Sequence, residues 1–231
     1  MFATALEDGL IEKSPMEFIK QLPVQKREPM PLEIEEIEIV LLYMGNNYSS
    51  QVLNYFKFAF FTGLRPSELI ALRWADIEWQ KKIARVEVAF VLGEEKDTKT
   101  HKVRYVDLPE PAFEALKSQK LSTLMKKHGR VFENPTTGRP WASHKVPRLS
   151  YWKPCLNALG IMARDAYQTR HTYATMMLGV GCSPRYVADQ LGHGTLQMLL
   201  TTYSKWLPSG NEAEKAKVAI ALSTKMQKTG T

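Results

Sequence analysis

Apolar residues recur at helical spacing along most of this chain. Ile34, Ile37 and Val40 form one stripe of a helix that begins at Leu32, which predicts an amphipathic element. Residues 49–62 are apolar on most sides, so we expect the helix there to be buried. Spacing and cap signals also predict helices at 1–13, 67–72, 111–127, 143–159, 168–178, 183–191, 195–206 and 211–226, and a loop at 129–142.

In the middle of the chain the apolar period changes from helical to alternating. Ala84, Val86, Val88 and Phe90 alternate with charged residues, and a second alternating run occupies 103–108. This pattern predicts a small antiparallel sheet of about three strands with a polar turn. The expected fold class is therefore α+β and mostly helical.

Proline-rich sequence follows the first predicted helix. Pro23, Pro29 and Pro31 flank a charged stretch, a composition that is typical of a linker. One helix and a linker cannot bury a core of their own and do not make a domain. We therefore expect residues 1–31 to be the end of a neighbouring unit, and residues 32–231 to form one domain that ends in a tail helix.

The charge balance favours an anionic partner. The chain has 231 residues, a formal net charge of +7 and a pI of about 9.3, which suits nucleic acid first. The sequence has neither a run of ~18 apolar residues nor a secretory leader, so we expect no membrane contact and a cytoplasmic protein. Cys155 and Cys182 are too few for a disulfide framework or a zinc site. Reduced thiols are expected, with neither a metal nor a cofactor.

Two arginines are candidates for binding a phosphodiester, which gains negative charge on its non-bridging oxygens during transfer. Arg65 lies in a turn between two predicted helices, and Arg170 lies near the start of another. The planar guanidinium donates two hydrogen bonds and stays charged, so the pair could clamp both oxygens. A structural ion pair is the competing interpretation for either residue. Glu68, three residues after Arg65, fits such a pair or a group that orients Arg65.

The remaining chemistry needs a nucleophile and a general acid. Tyr203 lies on a predicted helix and could attack phosphorus in a positive field, or it could be a core aromatic. His193 could donate to the phosphoryl oxygens, or interact with a helix C-terminal dipole. Lys99, in the predicted hairpin, is the candidate acid for the leaving 5′ oxygen. Lys96 and Lys102 compete with it, and a solvated charge is the alternative for each.

These residues stand in an order that resembles the tyrosine recombinase family, the phage-type integrases. The matching segments are Thr62–Leu69, Thr98–Thr100, Arg170–Thr175, Leu191–His193 and then Tyr203. The resemblance covers residues 32–206, the whole catalytic domain of that family, and implies its fold. It also makes residues 1–31 look like the last helix of the family's core-binding domain and the linker that follows it.

The resemblance implies a reaction on double-stranded DNA attachment sites. Tyr203 would attack a scissile phosphate to give a 3′-phosphotyrosine and a free 5′ hydroxyl, without ATP or a metal. The 5′ hydroxyl of a partner strand would then attack, which exchanges strands for integration or excision of a mobile element. The catalytic residues implied are Arg65, Lys99, Tyr167, Arg170, His193 and Tyr203, supported by Glu68 and His171.

The resemblance also implies partners. Four protomers act on two DNA segments in this family, so a homotetramer on DNA and a monomer free in solution are expected. Accessory DNA-bending proteins and a location on the nucleoid of a bacterial cytoplasm fit the same activity. The tail helix carries apolar residues such as Val218 and Leu222, and we interpret it as a contact to a neighbouring protomer. Packing on its own domain is the alternative.

One position departs from the family pattern. The family usually has a histidine three residues before its second arginine, taken to assist deprotonation of the nucleophile, and here Tyr167 occupies that position. A phenol with an ordinary pKa of about 10 is a poor base near neutral pH. The proton acceptor of Tyr203 is therefore open: Tyr167 only orients, or Glu68, water or His171 shares the task.

Two other functions share part of this signature. A DNA-binding module without catalysis would fit Tyr167 and a chain with only the end of a core-binding domain. A type IB topoisomerase would use the same tyrosine chemistry to relax DNA. The integrase-like motifs favour the recombinase.

Overall fold

The computed structural model describes residues 2–17, 28–91, 94–97 and 103–207, and positions 215 and 219. Its helices are α1 (Phe2–Glu7), α2 (Ile34–Asn47), α3 (Ser50–Thr62), α4 (Pro66–Ala71), α5 (Glu110–Thr123), α6 (Lys145–Pro147), α7 (Lys153–Ala158), α8 (Gln168–Gly179), α9 (Pro184–Leu191) and α10 (Leu196–Tyr203). Its strands are β1 (Ile77–Glu78), β2 (Ile83–Val86), β3 (Val88–Val91), β4 (Glu94–Asp97), β5 (Arg104–Asp107), β6 (Glu133–Asn134) and β7 (Arg139–Pro140). The helices outweigh the strands, so the expected α+β, mostly helical fold is confirmed.

Helix α3 lies at the centre of the helical part, because its side chains are apolar on nearly every face. Phe56, Phe58 and Phe60 are buried, and α3 packs against α2, α5 and α8. Phe56 stacks on Trp152 with ring centroids 5.4 Å apart. The prediction of a buried helix at 49–62 is therefore confirmed.

The strands form one three-stranded antiparallel sheet, in the order β1-β2-β5, and the two hairpins β3-β4 and β6-β7. The predicted single strand through Ala84 and Phe90 is wrong at Glu87, where the chain leaves the sheet. Strand β2 pairs with β5, whereas β3 pairs with β4 and packs against α4. The loop predicted at 129–142 contains the short β6-β7 hairpin. Alternation in sequence shows which residues are extended, but it does not show where a strand changes partner.

Two predicted helices are less regular than expected. Helix α1 is followed by Gly9 at φ 68°, in the left-handed region, so the prediction of a helix over 1–13 was too long. The helix predicted at 143–159 consists of α6 and α7 joined by a π-helical turn, Arg148–Trp152. Pro154 has no N–H to donate to the carbonyl four residues earlier, which favours the wider turn.

Buried apolar side chains form two clusters. The larger one surrounds α3 and includes the inner faces of α2, α5 and the three-stranded sheet. The smaller one lies among α8, α9 and α10 and contains Tyr173, Leu191, Leu199 and Tyr203. Arg170 lies where these two clusters meet, because it donates to the carbonyls of Gly63, at the end of α3, and Leu191, at the end of α9.

The segment before α2 lies across α8. The Leu32 N–H donates to Thr172 Oγ1 at 2.8 Å, and the Met30 N–H donates to Gln168 Oε1 at 2.9 Å. This segment is thus hydrogen-bonded to the helix that carries Arg170. The domain boundary after residue 31 stays a prediction.

The sequence also led to expectations about the cysteines, membrane spans and the tail helix. Cys155 and Cys182 are not bonded to each other, and Cys155 is buried whereas Cys182 is partly exposed. No helix within the described ranges is long and apolar enough to cross a lipid bilayer. The predicted tail helix, 211–226, lies outside the described residues except for positions 215 and 219.

Candidate active site

A glycine turn places Arg65 at the start of α4. Gly63 ends α3 at φ 62°, and a Cβ there would lie 2.5 Å from Tyr173 Cδ1, so only glycine fits. Arg65 is the N-cap residue of α4, and its N–H donates to Glu68 Oε2 at 2.8 Å. Its guanidinium Nη1 donates to Glu68 Oε1, also at 2.8 Å. The local ion pair expected from the spacing is therefore present, and it fixes the direction of the Arg65 side chain.

A second arginine, Arg104 of β5, holds the other side of Glu68. Its Nη1 donates to Oε1 at 3.0 Å and its Nη2 donates to Oε2 at 2.6 Å, the bidentate geometry that suits a carboxylate. Glu68 is 1% exposed. Burial by itself would raise the pKa of the carboxyl, but the hydrogen bonds and charge of Arg104, with the charge of Arg65, lower it to about 2. Glu68 is therefore ionised at neutral pH.

Arg104 was not among the site residues predicted from the sequence. Its Nε donates to the Gln190 carbonyl at 3.1 Å, so the side chain also joins β5 to the end of α9. A Cβ at Gly192 would lie 2.9 Å from Arg104 Cδ, so the next turn passes directly over this side chain. An arginine in a short strand that follows a polar turn looks like a solvated residue, and no local signal in the sequence pointed to its buried partner.

Arg170 joins the two apolar clusters. It is 1% exposed, and its guanidinium donates to two backbone carbonyls: Nη1 to Gly63 at 2.9 Å and Nη2 to Leu191 at 2.6 Å. Burial, followed by repulsion from Arg65, lowers its pKa to about 10. It remains charged at neutral pH. Its bonds to carbonyls leave the positive charge available to an anion, which an ion pair with a carboxylate would not do.

Tyr203 ends α10 with its hydroxyl next to His171. The hydroxyl oxygen lies 2.6 Å from His171 Nδ1, and the side chain is 2% exposed. Burial raises the pKa of Tyr203 above its ordinary value, while the nearby charge of Arg170 acts in the opposite direction. The phenol is therefore neutral before any substrate arrives, and ionisation requires an acceptor for its proton.

His193 follows the left-handed Gly192 that ends α9 and faces Tyr203. The two rings are nearly parallel, at 10°, with centroids 6.4 Å apart. Among the described residues, the buried His193 Nδ1 has no hydrogen-bond partner. Burial and the charges of Arg170 and Arg65 lower the pKa of His193 to about 4, so the ring is neutral at pH 7. A neutral ring interacts weakly with a helix dipole, which leaves the donor interpretation the better supported of the two.

Tyr167 is partly exposed and lies next to His171. It is 36% exposed, and its ring meets the His171 ring edge-on with centroids 5.2 Å apart. Its hydroxyl interacts with the Arg65 guanidinium. The hydrogen-bond partner of the Tyr203 hydroxyl is instead His171.

The structure thus gathers most of the residues singled out from the sequence. Two guanidinium groups, an unpartnered imidazole nitrogen and a tyrosine hydroxyl meet around one position, an arrangement that suits transfer of a phosphoryl group to the tyrosine. The residues brought together are Arg65, Glu68, Tyr167, Arg170, His171, His193 and Tyr203. Lys99 and Lys102 lie outside the described residues, as does the side chain of Lys96, so the general acid stays a prediction. No group of three potential metal ligands occurs in the part of the chain that is described.

Known proteins match most of the chain. The model of the phage integrase family matches residues 32–208. The prophage integrase IntR of Escherichia coli strain K12 is 32% identical over an aligned length of 243, and the match covers 95% of this chain and 58% of that protein. The putative defective protein IntQ of the same strain is 30% identical over an aligned length of 247, and the match covers 96% of this chain and 61% of that protein. The chain therefore spans less than two thirds of the length of these relatives.

Solved structures share the fold at low sequence identity. The Tn1549 transposon integrase in complex with a circular intermediate DNA has a TM-score of 0.70 at 18% identity, covering 94% of this chain and 74% of that one. The lambda integrase tetramer bound to a Holliday junction has a TM-score of 0.63 at 16% identity, covering 84% of this chain and 55% of that one. At these identities the likeness shows the fold alone.

Proposed function

Because the chain belongs to the phage integrase family, we propose that it is a tyrosine-type site-specific DNA recombinase. It cleaves and rejoins DNA strands through a covalent 3′-phosphotyrosine and thereby integrates or excises a mobile element. The single observation that carries this proposal is the meeting of Arg65, Arg170, His193 and Tyr203 around one position.

In the proposed reaction, two guanidinium groups neutralise the scissile phosphate. Arg65 and Arg170 bind its non-bridging oxygens, and His193 donates a further hydrogen bond from a ring nitrogen. Glu68 keeps Arg65 in place without cancelling the positive field, because Arg104 balances its charge. Tyr203 then attacks phosphorus, and Lys99 is the proposed donor to the leaving 5′ oxygen.

The proposed partners are double-stranded DNA attachment sites and other copies of this chain. Relatives of the fold are described on DNA as a dimer and as a tetramer, which supports a homotetramer on DNA here. A net charge of +7 supports binding to a polyanion. A monomer in free solution, assistance from DNA-bending proteins and a location on the bacterial nucleoid complete the proposal.

Covalent capture on nicked DNA tests this function. Duplexes with a randomised core and a nick beside the scissile position release a short strand after cleavage, so the covalent intermediate accumulates. We expect the wild-type chain to select some of these duplexes as adducts that survive denaturing gels. Tyr203→Phe keeps the ring but lacks the nucleophile, and it should give no adduct while still binding the selected duplexes.

A non-catalytic DNA-binding module is the second candidate, and the burial of Tyr203 is the observation that favours it. Sequence-selective binding by the wild type without any adduct would support this candidate and overturn the recombinase. Adducts on every duplex with relaxation of supercoiled DNA would instead indicate a topoisomerase.

A further inference from the structure

The proton of Tyr203 has no obvious destination if the site works as the family pattern suggests. The hydroxyl must lose its proton when its oxygen bonds to phosphorus. The position that usually holds a histidine is Tyr167, whose hydroxyl interacts with Arg65. A phenol is a poor proton acceptor near pH 7. Another group therefore has to take the proton.

Glu68 is excluded by its own contacts. Its two oxygens accept four hydrogen bonds, from the N–H and guanidinium of Arg65 and from both terminal nitrogens of Arg104. These donors hold the pKa of the carboxyl at about 2, so it accepts a proton only in strong acid. Glu68 serves to position Arg65.

His171 makes the contact that proton transfer needs. Its Nδ1 lies 2.6 Å from the Tyr203 hydroxyl oxygen, within direct hydrogen-bond distance. It follows Arg170 on α8, so the helix that carries the phosphate-binding guanidinium also carries this imidazole. We propose that His171 is the catalytic proton acceptor of Tyr203, a role that rests on the recombinase function proposed above.

The proposed cleavage step moves one proton to His171 and takes one from the general acid. The Tyr203 proton moves to His171 Nδ1 while the phenolate oxygen forms a bond to phosphorus. The bond between phosphorus and the 5′ oxygen breaks, and that oxygen leaves with the electron pair and takes a proton from the general acid, for which Lys99 is the candidate. In the rejoining step the 5′ hydroxyl returns its proton to the deprotonated general acid as its oxygen bonds to phosphorus. The bond between phosphorus and the Tyr203 oxygen breaks, and the His171 imidazolium gives its proton back to that oxygen.

The tautomer required is the one that the surroundings favour. Nδ1 accepts only if the ring proton is on Nε2, so the Tyr203 hydroxyl is the donor. Within the described part of the chain the hydroxyl makes no other hydrogen bond, and the reverse arrangement would leave its buried proton without an acceptor. Burial, followed by the charge of Arg170, lowers the pKa of His171 to about 4, so the ring is neutral and able to accept.

A bound phosphate makes His171 a stronger base. A negative charge nearby stabilises the imidazolium and raises the pKa of the ring from its value in the free protein. Lys205 and Glu28 line a cavity of about 510 Å³ together with His171. The positive charge of Lys205 opposes this rise in the pKa of His171, and the negative charge of Glu28 supports it. The groups that face His171 are Tyr167, Arg170, His193, Tyr203, Lys205 and Glu28.

The tautomer can be measured without DNA. In histidine-labelled free protein, the nitrogen-15 shifts of His171 should show a protonated Nε2 and an Nδ1 that accepts a hydrogen bond. The Nδ1 signal should move in Tyr203→Phe, which removes the donor. A protonated Nδ1 in the wild type would overturn the proposal whether or not the chain is a recombinase.

Cleavage kinetics test the catalytic role. His171→Asn keeps a polar atom near the Nδ1 position but cannot accept a proton at neutral pH, and we expect on the order of 100-fold slower adduct formation. In His171→Asn, replacing Tyr203 by a ring-fluorinated tyrosine, whose phenol is more acidic, should raise the rate of adduct formation at least tenfold. The same replacement should speed the wild type much less. A role in folding alone would give no such rescue.

Two controls keep the outcomes apart. Tyr167→Phe removes the competing hydroxyl and should slow the reaction less than His171→Asn does. If His171→Asn does not fold, as judged by circular dichroism, His171→Gln replaces it and the same rescue is required. If the wild type is active and the His171 variant forms adducts within about threefold of its rate, the acceptor role is overturned. A wild type with no adduct overturns the recombinase function itself.

Discussion

At the scale of single residues, the site depends on how buried charges are balanced. Glu68 is buried between Arg65 and Arg104, and Arg170 is buried against two carbonyls. Within the described ranges, Glu68 is the one carboxylate bonded to these guanidinium groups, so the site retains a positive field that an anion can occupy. The balance also makes the fold sensitive to the loss of Arg104.

Replacing Arg104 should therefore destabilise the protein. In Arg104→Met the Glu68 carboxylate stays buried with Arg65 as its remaining direct partner, and we expect the free energy of unfolding to fall by about 3 kcal/mol. Arg104→Lys keeps the charge without the bidentate fork and should lie between that variant and the wild type. Urea unfolding measures both. A methionine variant as stable as the wild type would contradict the structural role of Arg104.

The two neutral histidines make stability depend on pH. Burial lowers the pKa of His171 and of His193 from 6.5 to about 4. Between these values the unfolded chain binds more protons than the folded one, so the free energy of unfolding falls as the pH drops from about 6.5 to about 4. With solvent screening taken into account, each ring contributes about 1 kcal/mol.

His193→Gln isolates one of the two contributions. The charges that face His193 come from Arg65, Arg104 and Arg170, and the glutamine variant cannot bind the proton they disfavour. Urea unfolding from pH 7 to pH 4 should show a smaller loss of stability in this variant. An unchanged pH dependence would mean that His193 is protonated as readily in the folded protein as in the unfolded one.

At the scale of the elements, two left-handed turns place the side chains of the candidate site. Gly63 ends α3 and Gly192 ends α9, at φ 62° and 66°. Each turn brings its backbone close to another side chain, Tyr173 in the first case and Arg104 in the second. The carbonyls of Gly63 and Leu191, beside these turns, are the ones that hold Arg170.

Gly63→Ala tests the first turn, with Gly160→Ala as a matched control. Both glycines have positive φ, 62° and 65°, but an added Cβ would meet Tyr173 at 2.5 Å in the first and nothing within 4 Å in the second. We expect Gly160→Ala to cost about 1 kcal/mol of stability and Gly63→Ala about 3 kcal/mol, because the latter adds a clash to the backbone strain. Equal losses in thermal unfolding would show that the contact with Tyr173 relaxes freely.

At the scale of the whole molecule, the site exists only where two apolar clusters meet. Arg65 and Glu68 belong to the part built around α3, whereas Arg170, His193 and Tyr203 belong to the part built from α8, α9 and α10. In the proposed function, DNA binding is a property of the whole surface, because many phosphate contacts share it. The proposed catalysis depends on the few groups at the junction.

Arg65→Ala should separate these two properties. Glu68 keeps its bidentate bond to Arg104 in this variant, so we expect it to fold. Adduct formation should fall by at least ~100-fold, while DNA affinity falls by less than about tenfold. Arg185→Ala removes an exposed arginine of α9 as a control for net charge, and gel-shift assays measure the affinity of both. A complete loss of binding in Arg65→Ala would indicate a structural role for Arg65.

The sequence by itself determined the order of helices, the buried helix α3 and the family signature, because periodicity and motif spacing are local properties of the chain. It also predicted that Arg65, Arg170, His193 and Tyr203 serve one reaction. It did not locate the break at Glu87, since alternation continues through a change of strand partner.

Only the tertiary structure decided which groups touch. Glu68 and Arg104 are 36 residues apart, and Tyr203 and His171 are 32 residues apart. Nothing local in the sequence distinguishes such pairs from solvated side chains, because the energy that joins them comes from burial, and burial is a property of the packed molecule. The same packing gave His171, rather than Tyr167, the hydrogen bond to the tyrosine hydroxyl.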